Sequence, residues 1–176
     1  SYDYDTSVTG EGIHPENAAL FEAEDQSFEP PFAQSTDSNA SGGSYIVAPS
    51  TEAMDTPPTD GNARFDFSMS GTVNIWIRRR MPGGETDSFW MSLKDHGQGD
   101  IEEDDSNSWE TLNSESWYQW LNGHDHSDQW QWELWGTATL NRSDNTLNIR
   151  YRESGSGLDQ VLITSNLTYT PGGAET

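Results

Sequence analysis

Arg64-Phe65-Asp66-Phe67-Ser68-Met69, then Ser70-Gly71, then Thr72-Val73-Asn74-Ile75-Trp76-Ile77-Arg78-Arg79-Arg80 is the stretch that decides the fold class of this chain. Phe65, Phe67 and Met69 recur at every second residue. Val73, Ile75 and Ile77 do the same beyond the Ser-Gly turn, against Trp76, Arg78 and Arg80, until Met81-Pro82-Gly83-Gly84 ends the run. A period of two is that of a half-buried strand, and two such runs joined by a turn read as antiparallel neighbours. The pattern continues outward. Ser88–Lys94 places Phe89, Met91 and Leu93 on one face and Trp90 on the other, and Thr146–Arg152 sets Leu147, Ile149 and Tyr151 inward. Val161–Thr164 and Leu167–Tyr169 close the series before Pro171-Gly172-Gly173. The one helix candidate of any length, Trp109–Leu121, is rich in Ser and Asn and lacks an apolar stripe. The expectation is an all-β fold, a β-sandwich (jelly roll) of antiparallel strands with long functional loops.

The alternation begins at Leu20. Residues 1–19 show neither period and read as a linker or N-terminal extension, with an edge strand at Tyr2–Tyr4 as the alternative. Residues 20–172 form the sandwich and 173–176 a tail. The polar stretch Asp95–Ser116 is too long for a simple connection and reads as a large loop, of the kind that carries function on a rigid scaffold.

Charge narrows the functional classes. The chain has 30 Asp+Glu against 8 Lys+Arg, a formal net charge of -22. Nucleic-acid binding calls for the opposite sign, an anionic membrane surface is disfavoured for the same reason, and no apolar run is long enough to span a bilayer. The hydrophobic fraction of 31% would suit a disordered chain, but 8 Trp, 6 Tyr and 6 Phe would not. With Cys 0 there is no disulfide, thiolate metal site or Cys nucleophile. Ser1 to Gly12 has no apolar stretch of the signal-peptide type, so the reading is an excised module whose location follows from its chemistry. The acidity suits a saline setting.

Two constellations carry chemistry. Trp109, Trp117, Trp120, Trp130, Trp132 and Trp135 fall close together in a polar stretch, with Trp90 just before them. Apolar ring faces with polar neighbours suit sugars, which pair a C–H face with a rim of hydroxyls. Against this, any one Trp can simply fill a gap in the core. If Gln129–Leu134 is a strand, Trp130 and Trp132 share a face and are buried or exposed together; Trp132 is favoured as a ligand contact. The second constellation is Glu22-Ala23-Glu24 with Asp159. Acids at i and i+2 of an extended segment project together and repel unless a cation sits between them. A late Asp and a carbonyl from Ala40-Ser41-Gly42-Gly43-Ser44 would complete an oxygen cage for Ca²⁺.

An ordered set of segments runs through the chain: Phe21–Asp25, Ala40–Ile46, Ile75–Arg78, Asp87–Phe89, Gln131–Glu133, Leu147–Gly155, Leu158–Thr164 and Tyr169–Pro171. This succession resembles the β-jelly-roll carbohydrate-binding modules of the family 6 and family 35 type, over roughly Leu20 to Pro171. The resemblance implies a noncatalytic module appended to a secreted polysaccharide-degrading enzyme. It also implies a structural Ca²⁺ held by Glu22, Glu24 and Asp159 with a backbone oxygen at Ser41, and ligand aromatics on loops at one end, in keeping with Trp90 and Trp132. The wider ligand set comprises Trp130, Trp117, Trp120, Arg78 and Asp87. The chain departs from the pattern in Asp95–Ser116 and in Asn122-Gly123-His124-Asp125-His126, which reads either as a second metal site or as a solvated turn. Arg78 either supports the site in an ion pair, with Asp87 across the next turn, or bonds sugar hydroxyls or a uronate.

The expected partners are a polysaccharide and a catalytic domain in the same parent chain, with the module itself monomeric and extracellular. Negative charge favours neutral glycans, marine or from plant cell walls, such as agarose, xylan or β-glucan. The alternatives are a calcium-stabilised structural or adhesion module of a cell-surface protein, and a small glycan-cleaving enzyme using carboxylates such as Glu102, Glu110, Glu133 and Glu153. No nucleophile elbow, P-loop or dinucleotide fingerprint is present.

Overall fold

The computed structural model describes residues 17–84, 86, 88–96, 101–103, 109–112, 115–121 and 127–172. Among the described residues thirteen strands follow one another: β1 Ala18–Glu22, β2 Ser27–Phe28, β3 Ala33–Thr36, β4 Ser44–Val47, β5 Asn62–Ser68, β6 Gly71–Met81, β7 Ser88–Leu93, β8 Ile101–Glu103, β9 Trp109–Leu112, β10 Glu115–Leu121, β11 Ser127–Leu140, β12 Asp144–Tyr151 and β13 Gly157–Thr164. No α-helix occurs among the described residues. Every strand pair is antiparallel. One sheet runs β3-β4-β13-β6-β11-β8, with β1 also paired to β13; the other runs β2-β5-β12-β7-β10-β9.

The period-two runs become the inner faces. Phe65 and Phe67 of β5, Phe89, Met91 and Leu93 of β7, and Leu147 and Ile149 of β12 meet Val73, Ile75 and Ile77 of β6 and Val161 and Ile163 of β13 in one buried cluster. Phe21 of β1 crosses between the sheets to stand edge-on to Phe65, ring centroids 5.6 Å apart. Burying an aromatic side chain of this size stabilises by roughly 1.5–3 kcal/mol, so this contact seats β1 firmly on the edge of the first sheet.

Three expectations require correction. Asp95–Ser116 is not one loop: β8 pairs with β11 and β9 with β10 inside it. Both are short outermost strands, three and four residues long, with too few positions to show a period. Leu167–Tyr169 is a turn instead of a strand, because the Asn166 side chain accepts from the Thr168 N–H at 3.1 Å and competes with sheet pairing. β1 begins at Ala18, two residues before the expected Leu20, since Ala18 and Ala19 pair with Thr164 and Ile163. Tyr2–Tyr4, the rest of the expected linker up to residue 16, and residues 173–176 lie outside the described residues.

Candidate functional site

The outer edge of β13 is shared by two strands. Leu158 pairs with Ile46 of β4, whereas Gln160 pairs with Glu22 at the end of β1. Between them β13 bulges against β6: Leu158 faces Arg79 and Gln160 faces Arg78, leaving Asp159 as the extra residue. A bulge re-aims a side chain out of the strict alternation. It sets the Asp159 carboxylate, fully buried, at the gap between β1 and β4. The chain leaves β1 directly into a 3₁₀ turn at Ala23–Asp25, and a second 3₁₀ turn at Ser41–Gly43 precedes β4. Glu22, Glu24 and Asp159 thereby meet, with one carboxylate oxygen of each within 4.8 Å of the others. The two glutamates come together across a strand end and a turn, not as i and i+2 of one strand, which corrects that expectation.

Ser41 joins this cluster differently from the expected carbonyl ligand. Its N–H donates to Asp159 Oδ2 at 3.0 Å and its hydroxyl to Glu22 Oε1 at 2.6 Å, while its carbonyl accepts the Ser44 N–H. Gly42, at φ +63, permits this tight turn, and a Cβ there would lie 3.8 Å from Glu24 Oε1. Of two further partners, Gln160 went unread in the sequence and Arg78 was read without its pairing to Asp159. Gln160 Nε2 donates to Glu22 Oε1 at 2.9 Å, and Arg78 Nη1 donates to Asp159 Oδ2. Only the bulge explains why Asp159 and Gln160 reach the same cluster, and no sequence period signals it.

The cluster is short of positive charge. Burial pushes Glu24 up to about 7, with the charges of Glu22, Asp159 and Asp25 adding to the rise and a backbone hydrogen bond opposing it. Burial likewise lifts Asp159 to about 6, against the lowering effects of the Ser41 N–H and the Arg78 guanidinium. Glu24 Oε2 and Asp159 Oδ1 are buried without any hydrogen-bond partner. Three carboxylates, those of Glu24 and Asp159 each with an orphaned oxygen, suit a hard, oxygen-seeking cation such as Ca²⁺, and not a soft one. The residues present fit the ion that the resemblance implies.

The tryptophans do not form one exposed platform. Trp90 is fully buried and donates Nε1–H to the Met54 carbonyl at 2.9 Å. Trp117 is 1% exposed, under the Arg150 guanidinium at 4.4 Å from its ring centroid. Trp132 packs with Ala18, Leu20, Trp76 and Leu162 on the outside of the first sheet, 5% exposed. Trp130 is 8% exposed. Its Nε1–H donates to Asp37 at 3.1 Å, Tyr45 stands edge-on at 4.9 Å, and its ring lies so close over Gly157 that a Cβ there would be 2.8 Å away. Trp90, Trp117, Trp130 and Trp132 as free stacking surfaces is therefore corrected. Their flanking residues are polar, but both outer sheet faces are covered where these rings lie. Trp130 and Trp132 do go together, both buried. For Trp120 the register places the backbone opposite Phe89. Asp87 and His124–His126 lie outside the described residues.

The three consecutive arginines divide by face. Arg78 pairs with Asp159, so its structural partner comes from β13. Arg80 pairs with Asp128 at 2.7 Å and Asp37 at 3.4 Å. Arg79, fully buried, pairs with Glu133 at 2.9 Å. Glu153 is bound by Arg152 at 2.6 Å, so two of the four carboxylates weighed for glycan cleavage are held in ion pairs.

No protein-family model matches the chain, and no curated protein matches it in sequence. Solved structures do match in fold. A β-(1,4)-mannanase of Podospora anserina with a family 26 hydrolase and a family 35 binding module aligns at TM-score 0.56 and 15% identity, over 89% of this chain and 29% of that one. The C-terminal family 6 module of LamC, a marine laminarinase of Zobellia galactanivorans, aligns at TM-score 0.54 and 14% identity, over 85% of this chain and 100% of that one. A family 35 module of Clostridium thermocellum aligns at TM-score 0.51 and 16% identity, over 83% and 98%. The chain thus spans less than a third of the mannanase but nearly all of each isolated module. It has the two-sheet β-jelly-roll fold of carbohydrate-binding modules of the family 6 and family 35 type.

Proposed function

We propose that this chain is a noncatalytic carbohydrate-binding module that tethers an appended enzyme to a neutral polysaccharide outside the cell, as a monomer. The observation that carries the reading is the carboxylate cluster of Glu22, Glu24 and Asp159, built at the β1–β13 junction of a jelly roll of the binding-module type. In it a structural Ca²⁺ would be held by those three residues. The ion's charge would offset their repulsion and lock β1 and the turn before β4 onto β13. Ser41 and Gln160 orient the Glu22 carboxylate, and Arg78 steadies Asp159 from the other side.

The glycan is placed at the end of the sandwich where β7 starts and β10 ends. The register sets the Trp120 backbone at that end, opposite Phe89. A net charge of -22 favours neutral chains such as xylan, β-glucan or agarose. Incubation with insoluble xylan, β-glucan and agarose should deplete the protein from solution and release no reducing ends. Release of reducing ends would make it an enzyme.

The burial of Trp90, Trp117, Trp130 and Trp132 favours a second reading, a calcium-stabilised structural or adhesion module. That reading predicts the calcium effect without depletion by any glycan.

A further inference from the structure

The chain's scarce cations are unevenly placed. Arg78, Arg79, Arg80 and Arg152 are engaged in ion pairs, and Arg150 lies on the Trp117 ring. The other three of the eight, Arg64, Lys94 and Arg142, line one open groove of ≈ 530 Å³. It lies at the far end of the sandwich from the β12–β13 connection, where β5 and β7 end and β12 begins, so it is remote from Asp159. We propose that this groove is a second glycan-contact site, taking a neutral sugar unit. The inference rests on the carbohydrate-binding reading above.

Charge balance and unused bonding capacity both favour a neutral sugar in this groove. Asp66, Asp95 and Asp144 also line the groove and match its three cations, making the groove locally neutral in a strongly acidic chain. Two pairs are closed: Arg64 Nε on Asp66 at 2.9 Å, and Arg142 Nη2 on Asp95 at 2.8 Å, also reaching the Lys94 carbonyl. Thr146 donates to Asp66 at 2.6 Å. Among the described residues the Lys94 ammonium and the Asp144 carboxylate have no such partner, and Ser68 stands opposite Asp144 in the register. The groove therefore offers a free donor and a free acceptor beside two ion pairs that are held fixed. A sugar hydroxyl both donates and accepts, so adjacent ring hydroxyls can use both at once. A carboxylate or sulfate could use Lys94 but would meet Asp144 and the chain's overall charge.

The test is a titration of the full ¹⁵N-labelled chain, followed by amide shifts, with xylohexaose and laminarihexaose separately and trigalacturonate as the anionic probe. The expected result is saturable movement of the Ser68, Lys94, Asp144 and Thr146 amides with at least one neutral hexaose. Lys94→Ala and Asp144→Asn, both at exposed positions, should each weaken that response about tenfold while leaving the remaining spectrum unchanged. Hexaose shifts confined to the opposite loop end would overturn the groove but keep the binding reading. No hexaose shift at any amide would overturn both. Groove shifts with trigalacturonate alone would overturn the assignment to neutral sugars.

Discussion

Three carboxylates at the β1–β13 junction share a space of 4.8 Å, and two buried oxygens there have no hydrogen-bond partner. Along β7, β10 and β11, by contrast, five tryptophans lie 8% exposed or less, two of them with their indole N–H on an oxygen acceptor. The first region crowds three acids beside one arginine and leaves two of their oxygens unbonded. The second is complete as packing. The difference separates two uses of conspicuous residues: the acids crowd like charge into one small space, whereas the rings serve as packing, even where the Trp117 and Trp135 indole N–H groups go without an acceptor. A protein of this charge can hold a repulsive cluster only if something offsets it, and among the described residues Arg78 is the one cation paired with it.

This contrast can be broken first at Trp90. Trp90→Ala should destabilise the fold by about 3–5 kcal/mol, read as a lower urea midpoint, because it empties a fully buried site and strands the Met54 carbonyl. An unchanged midpoint with lost glycan binding would return Trp90 to the ligand surface. Next comes the interior ion pair. Arg79→Met should cost about 3 kcal/mol by leaving the Glu133 carboxylate beside an apolar side chain, and adding Glu133→Leu should recover most of it. A double variant as unstable as the single one would mean the pair contributes more than its own satisfaction.

The acid cluster responds to a ligand instead. Calcium at about 100 times its dissociation constant should stabilise the chain by about 2.7 kcal/mol over the EDTA-treated form, seen as a higher melting temperature. Glu24→Gln should remove that increment and leave the melt in EDTA no lower. A melt indifferent to calcium would dissolve the contrast, making both regions mere packing. The smallest effect concerns Tyr151, whose hydroxyl donates to Asp60 at 2.9 Å. Burial, with the Asp60 hydrogen bond and charge adding, pushes this phenol up to about 12. A folded value above the unfolded one near 10 means the folded state holds the proton more tightly. Its stabilising contribution is full below pH 10 and is lost as pH rises to 12. Tyr151→Phe should cost about 1 kcal/mol at neutral pH and remove the most alkaline step from the phenolate absorbance titration.

Most of the fold was legible because β5, β6, β7 and β12 each turn one apolar face to the core between the sheets, and a period of two in apolar side chains follows from that. Trp90 was placed correctly opposite Phe89 and Met91, but alternation says only which sheet face a residue takes. It cannot say that the segment carrying Met54 covers that face. The site's members Glu22, Glu24 and Asp159 were legible as acids in a recurring order, whereas their meeting depends on a strand end, two 3₁₀ turns and a bulge. None of these has a period. Arg78 was read as a supporting cation, yet its structural partner, Asp159, is 81 residues away. β8 and β9 were hidden because short outer strands borrow their regularity from neighbours and carry little pattern of their own.

Affinity electrophoresis of the intact chain through gels containing soluble xylan, laminarin, agarose or polygalacturonate separates a glycan-binding module from a purely structural one. The account predicts retardation by at least one neutral polymer and free migration in polygalacturonate. Unretarded migration in every gel, from a chain whose melting temperature still rises with calcium, would contradict the binding module and leave a calcium-stabilised structural domain.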